Sequence, residues 1–257
     1  MRGAEPARTV GGMSTVWAFG DYHRFATALV WHFGPELVAD TGIGPGTRVL
    51  DVATGTGNVA LRAAATGARV TACDITPEQL ERGRDAAGAL DIEWVEADAQ
   101  DLPFPDGSFD VVTSAAGAIF APDHRQTARE LVRVTKPGGT IGMINFVPEG
   151  NAGAFFALFA PYVPDGDPPV LWGSEPHLRD LFAGHEVQTE RREYVERVPG
   201  GPEGFVAFYR ATFGPAAAID DPAFERGFLD FAHRADEGAA GGDAQLRFGY
   251  LRVLVRR

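Results

Sequence analysis

Cysteine is nearly missing from this chain: Cys73 is the only one in 257 residues, so no intrachain disulfide and no cysteine-based zinc cluster can form. That scarcity fits a reducing compartment, and a cytoplasmic location is expected. Lysine is as scarce, with Lys136 alone against twenty-two arginines. A Schiff-base lysine, a lysine-bearing phosphate loop or a Tyr-x-x-x-Lys pair would each have to use Lys136, whose neighbours fit none of them. Its setting, Thr135 to Gly139 (TKPGG), reads instead as a helix end, where its charge complements the carboxyl-terminal dipole. No stretch approaches the ~20 apolar residues of a membrane-spanning helix, and Met1 to Gly12 lacks the apolar core of a secretory signal. Residues 1–13 are therefore expected to be a flexible leader, with Met1 and Met13 both possible starts. No basic cluster exceeds Arg191-Arg192 or Arg256-Arg257, and the formal net charge is −12. Such a chain repels polyanions, which excludes nucleic acid and anionic membranes as first-choice partners.

What is present is enough apolar material for a real core: 45% of residues are hydrophobic and 23% charged. Tyr22, Phe25, Ala26, Leu29, Val30 and Phe33 follow helical spacing, predicting a helix that breaks at Gly34-Pro35 and resumes through Leu37 and Val38. Strands are predicted over Arg48–Val52, Arg69–Cys73, Ile92–Glu96, Phe109–Thr113, Thr140–Phe146, Glu186–Val198 and Leu246–Val255. Helices are predicted after the first, second and fourth of these, over about Asn58–Thr66, from the capping signal Thr76-Pro77-Glu78-Gln79, and from Asp123. Aromatic-rich helices are expected over Asn151–Tyr162, Glu203–Phe213 and Pro222–Ala235. The alternation argues for an α/β fold with an open, mostly parallel sheet wound on both faces. An N-terminal helical cap (14–46) would precede the core (47–147), and 148–257 would complete the same domain with helical lid insertions.

The chemistry concentrates in Val49 to Asn58 (VLDVATGTGN), where an acidic residue ends the first strand and a glycine turn feeds a helix. Asp74 follows Gly55 by 19 residues at the end of the next strand, the place from which a carboxylate can accept both hydroxyls of a ribose. Asp98 ends the third strand. Three strand-end carboxylates, Asp51, Asp74 and Asp98, would give one crevice a negative potential, which disfavours a pyrophosphate and favours a cationic nucleoside. Gly55, Gly57 and Ala60 also satisfy the G-x-G-x-x-G/A pattern of dinucleotide folds, so an NAD(P)-dependent oxidoreductase is the rival reading.

Four motifs in order carry a resemblance: VLDVATGTGN, TACDITPEQL, EADAQDLPFPDGSFDVV and TKPGG. Over about Thr47 to Phe146 the chain resembles class I S-adenosylmethionine-dependent methyltransferases of the ubiquinone/menaquinone C-methyltransferase type, which implies a Rossmann-like, doubly wound, seven-stranded mixed sheet whose last strand is antiparallel. Trp17–Tyr22 (WAFGDY), Phe120–His124 (FAPDH) and Leu171-Trp172-Gly173 look like a subgroup of actinobacterial methyltransferases. The resemblance implies that Asp51 and the glycine turn, Ala53 to Gly57, hold the methionine portion of S-adenosylmethionine, Asp74 the ribose hydroxyls, and Ile75 the adenine face. Asp98 would accept from the adenine amino group, the Ala99 N–H would meet a ring nitrogen, and Ser114 would offer backbone contacts near the methionyl amine. Gln79 and Tyr22 join the candidate set, Tyr22 as a cover for the methionine end. Many relatives have glycine at the position of Ala53, whose methyl group is tolerated if φ stays negative.

The reaction implied is in-line methyl transfer to a small acceptor, with S-adenosylhomocysteine as product and no metal. Most of the insert aromatics, Phe155, Phe156, Phe159, Tyr162, Trp172, Phe205, Phe208, Tyr209 and Phe213, read as ordinary packing, and an apolar or aromatic acceptor is expected if a minority line the space above the cofactor. His124, after the fourth strand, is the candidate general base, needed only if the acceptor loses a proton in the same step; it reads equally well as a first-turn polar residue behind the Asp123 cap. A catalytically inactive S-adenosylmethionine-binding protein is the reading from another class, because these residues report binding and not turnover. The assembly would be a monomer or homodimer.

Overall fold

A computed structural model describes residues 16–163, 166–239 and 241–257; the leader expected over residues 1–13 lies outside the described residues. Strand β1 (Arg48–Val52) is buried along nearly its whole length, as a central strand covered on both faces requires. It pairs in parallel with β2 (Arg69–Asp74) on one side and β4 (Phe109–Ala115) on the other, Val49 facing both Val70 and Val111. With β3 (Ile92–Glu96), β5 (Thr135–Phe146), β6 (Glu186–Val198) and β7 (Ala244–Arg256), the order is β3-β2-β1-β4-β5-β7-β6. Only β7 is reversed, antiparallel to both β5 and β6. This is the expected seven-stranded mixed sheet. Because β6 is antiparallel to the reversed β7, it runs in the direction of β1 to β5, so its carboxyl end shares their edge of the sheet.

Helices cover both faces. The cap is α1 (Tyr22–Phe25), a π-helical turn over Ala26–Val30, and α2 (Phe33–Thr41). The core adds α3 (Asn58–Ala65), α4 (Pro77–Ala87) and α5 (His124–Val134). The inserts are α6 (Gly150–Ala157) and α7 (Glu175–Leu181) before β6, then α8 (Gly201–Thr212), α9 (Gly214–Ala218) and α10 (Pro222–Ala235) before β7. The insert helices other than α7, the cap, the last residues of β6 and the first half of β7 bury one aromatic cluster that includes Phe25, Phe155, Phe205, Phe228 and Phe248, whereas Leu178 of α7 packs into a second core cluster.

Several local readings differ from the structure. The first helix does not break at Gly34-Pro35; the interruption falls earlier, at Trp31-His32, and Pro35 sits in the first turn of α2, where a missing N–H costs nothing. Gly34 is there for approach, since a Cβ would stand 2.4 Å from the Asn58 carbonyl oxygen of α3. TKPGG both ends α5, whose C-cap is Thr135, and starts β5: Thr135 pairs with Phe109, the strand bulges, and regular pairing resumes at Thr140 opposite Val111. Lys136, just past that helix end, forms a half-buried ion pair with Asp110. Gln79 makes no capping box; its side-chain N–H donates to the Trp17 carbonyl, fastening the cap to α4. Helix α7 was not anticipated.

Candidate active site

At the switch point between β1 and β4, the carboxyl edge opens into a cavity of about 290 Å³. Its floor is backbone and small residues. Gly55 turns with φ of +57°, and a Cβ there would press 2.9 Å from the ring of Tyr22, which lies across the turn. His23 Nδ1 meets Thr56 Oγ at 3.0 Å, so α1 is pinned onto the same turn. Trp17, edge-on to both Tyr22 and Phe120, completes the roof.

Asp74, Ile75, Gln79, Asp98 and Ala99 all line this cavity. The Asp74 carboxylate accepts the Gly55 N–H at 2.8 Å and the Thr76 N–H at 2.9 Å, locking the β1 and β2 loops together. Burial nonetheless raises its pKa. Asp98 accepts the backbone and side-chain N–H groups of Gln100 and keeps its carboxylate at the cavity wall. Gln79 Oε1 is buried with no hydrogen-bond partner, an acceptor waiting for a donor. No arginine or lysine lines the space among the described residues.

Asp51 stands one layer below. Its carboxylate takes the hydroxyls of Thr54 at 2.5 Å and Thr113 at 2.8 Å and the Ala60 N–H at 3.1 Å, and burial still pushes it up to about 6. It borders a narrow recess of about 10 Å³ under Tyr22 and not the large cavity. Its role is thus to shape the glycine turn from beneath. The desolvated Tyr22 hydroxyl is raised well above its ordinary pKa, with Asp74 and Asp51 adding to the effect.

Four expectations need correction. Ala53 lines the cavity but with φ of +52°, not a negative value; Ala116 opposite has +54°. Each left-handed alanine costs about 1–2 kcal/mol, held by tight packing of Gly117, where a Cβ would lie 2.3 Å from the Ala53 carbonyl oxygen. Gly57 faces away, against Trp94, 2.8 Å from where its Cβ would be. Ser114 is buried outside the cavity, its hydroxyl accepting the Ala118 N–H at 2.9 Å. His124 is fully buried at the start of α5, on the far side of the wall formed by Phe120 and Pro122. Its Nδ1 contacts His177 Nε2 at 3.0 Å, its ring packs on Trp172, and burial lowers its pKa to about 4. A buried histidine that does not line this cavity cannot take a proton from a molecule inside it.

Sequence reasoning passed over a second, aromatic cavity of about 40 Å³ that shares Trp17, Tyr22, Ala116 and Phe120 with the first. Of the nine insert aromatics, Phe155, Phe156, Tyr209 and Phe213 line it, and so does Glu196. Glu196 is 3% exposed and accepts the hydroxyls of Tyr194 at 2.8 Å and Tyr209 at 2.6 Å. Burial pushes its carboxyl up to about 7. The signal was available: Glu196 occupies an inward register of β6, two residues from each of Tyr194 and Val198, where alternation calls for an apolar side chain.

Residues 50–143 match the family model described as a methyltransferase domain. The chain is 44% identical over 209 residues to the uncharacterized protein Rv1403c of Mycobacterium tuberculosis, covering 78% of this chain and 76% of that one. It is 43% identical over 119 residues to the demethylmenaquinone methyltransferase of Thermus thermophilus, 45% of this chain and 54% of the relative. The crystal structure of YcgJ from Bacillus subtilis superposes with a TM-score of 0.66 at 17% identity, covering 88% of this chain and 98% of the other, which speaks to the fold.

Proposed function

This chain belongs to the class I S-adenosylmethionine-dependent methyltransferases, and from that premise we propose that it moves the methyl group of S-adenosylmethionine onto a small, apolar or aromatic acceptor. The observation that carries the reading is the chemistry of the larger cavity, whose charged lining residues are carboxylates and whose buried Gln79 oxygen lacks a donor. Such a lining penalises phosphates and suits a cationic nucleoside rich in N–H and O–H donors.

Asp74 would hold the ribose hydroxyls, Ile75 would pack on the adenine, and Asp98 with the Ala99 N–H would read the adenine edge. Asp51 acts through the turn it shapes, and Gly55 lets backbone come close. When bound, the sulfonium nucleoside supplies an activated methyl group that carries its own leaving group. The protein's task is then alignment and exclusion of water. Tyr22 and Trp17 close the cavity from above, and the shared wall of Ala116 and Phe120 brings the aromatic recess beside it.

Among the described residues no cluster of three or more His, Cys, Asp or Glu is arranged to hold a metal, and no helix is long and apolar enough to cross a membrane. Titration calorimetry with S-adenosylmethionine, S-adenosylhomocysteine and NADH tests the reading. Binding of both sulfur nucleosides without NADH binding is expected; NADH binding with silence toward both would overturn it.

A further inference from the structure

A carboxylate buried in an aromatic wall is an expensive feature that packing alone does not call for. Glu196 has no cationic partner among the described residues; its only hydrogen bonds come from the Tyr194 and Tyr209 hydroxyls, one to each oxygen. Each oxygen therefore keeps room for another donor. The groups that bear on its charge are those two phenols, from β6 itself and from α8, and burial outweighs them both. Around it stand rings from the cap, α6, α8 and β7, with Trp17, Tyr22, Ala116 and Phe120 forming the boundary to the larger cavity. A space of about 40 Å³ holds roughly three waters, close to the bulk of one six-membered ring.

We propose that the recess is the acceptor site, that it takes a single aromatic ring bearing a hydroxyl, and that Glu196 receives the hydroxyl's hydrogen bond. The inference rests on the methyltransferase reading above and adds the class of acceptor. In the transfer the acceptor oxygen forms its bond to the methyl carbon as the carbon–sulfur bond breaks. The electron pair of that bond stays on sulfur as a neutral thioether, and the hydroxyl proton passes to Glu196. A hydroxyl needs this because it must lose its proton as it reacts, whereas a neutral amine can attack first and lose its proton afterwards. A carboxyl pushed to about 7 by burial is a far better proton acceptor than an exposed glutamate.

The experiment uses the full-length protein and three ring probes of similar size, p-cresol, toluene and benzylamine, with and without S-adenosylhomocysteine. p-Cresol is expected to bind at least tenfold more tightly than the other two, with an affinity that falls as pH drops below about 7. Glu196→Gln should erase both the preference and the pH dependence while S-adenosylhomocysteine affinity stays within twofold, which also shows that the variant is folded. Tyr209→Phe, which keeps the carboxylate, should retain the preference for p-cresol. Equal binding of toluene, stronger binding of benzylamine, or an unchanged preference in Glu196→Gln would each overturn the proposal. Absence of S-adenosylhomocysteine binding in the wild type would instead strike at the methyltransferase reading, so the two failures are distinguishable.

Discussion

The two cavities that meet at Tyr22 are built in opposite ways. Apart from Trp17 and Tyr22, the larger one is lined by residues between Ala53 and Pro122, supplied by loops that follow β1 to β4 in order. The aromatic recess gathers side chains from Trp17 to Phe248, out of the cap, the sheet and both inserts. In the first, carboxylates are satisfied by nearby backbone N–H groups, as Asp74 is by Gly55 and Thr76. In the second, the carboxylate is reached only by side chains folded onto it. On the proposed function, the loops of the common scaffold would present S-adenosylmethionine and the inserts would choose what meets it.

The largest effect that would test this contrast is on stability as a function of pH. Glu196 has a folded pKa of about 7 against 4.5 for an ordinary glutamate, so the folded state holds the extra proton. Its contribution is fully present below about 4.5 and is lost as pH rises through 7, by on the order of 3 kcal/mol. Glu196→Gln should therefore melt higher than wild type at pH 8, with the gap closing by pH 5. His124 works in the opposite sense: its pKa falls from 6.5 to about 4, so its contribution is complete above 6.5 and disappears as pH falls through 4. His124→Gln should lessen the acid-side loss and leave S-adenosylhomocysteine affinity within twofold. A tenfold loss of that affinity would place His124 back in the site.

Smaller is the effect of Asp74→Ala, which removes a charged acceptor and leaves the Gly55 and Thr76 N–H groups unpaired. We expect S-adenosylhomocysteine to bind more weakly by about 1–3 kcal/mol, read by calorimetry, with a lower melting temperature. Unchanged affinity would mean that the ribose is held elsewhere, and the larger cavity would lose its assigned ligand. Smallest is the relief of backbone strain. Ala53→Gly and Ala116→Gly should each shift stability upward by less than about 1 kcal/mol, because the gain at positive φ is partly offset by the freedom glycine adds to the unfolded chain. A fall in melting temperature for either would show that its methyl group does more for packing than its φ costs.

Much of this molecule was legible before folding. β1, β3 and β6 fall where their side-chain patterns placed them, because a strand buried on both faces leaves a continuous aliphatic run and a one-sided strand leaves alternation. Asp74 and Asp98 reached the cavity lining for a related reason: Asp74 ends a strand, Asp98 follows one, and all parallel strands of one sheet deliver their ends to one edge, whereas Ile75 and Ala99 came with the family resemblance. Misreadings came where a local signal has two meanings. Gly34-Pro35 and Pro137-Gly138-Gly139 are breakers in isolation, yet one fits a helix's first turn and the other a bulge. His124 followed the right strand, but its direction was set by Trp172 and His177, far along the chain.

Sequence alone thus determined the sheet, its carboxyl edge and the acidic residues arrayed there, since these follow from periodicity and from the short reach of a loop. Only the tertiary structure decided which carboxylates face the cavity, that Asp51 lies beneath and His124 behind it, and that Glu196 joins the aromatic recess. Those outcomes depend on contacts between segments distant in the chain, His124 with His177, Asp51 with Thr113 and the walls around Glu196 with Trp17 and Tyr22, where side-chain direction is set by packing and no local pattern records it.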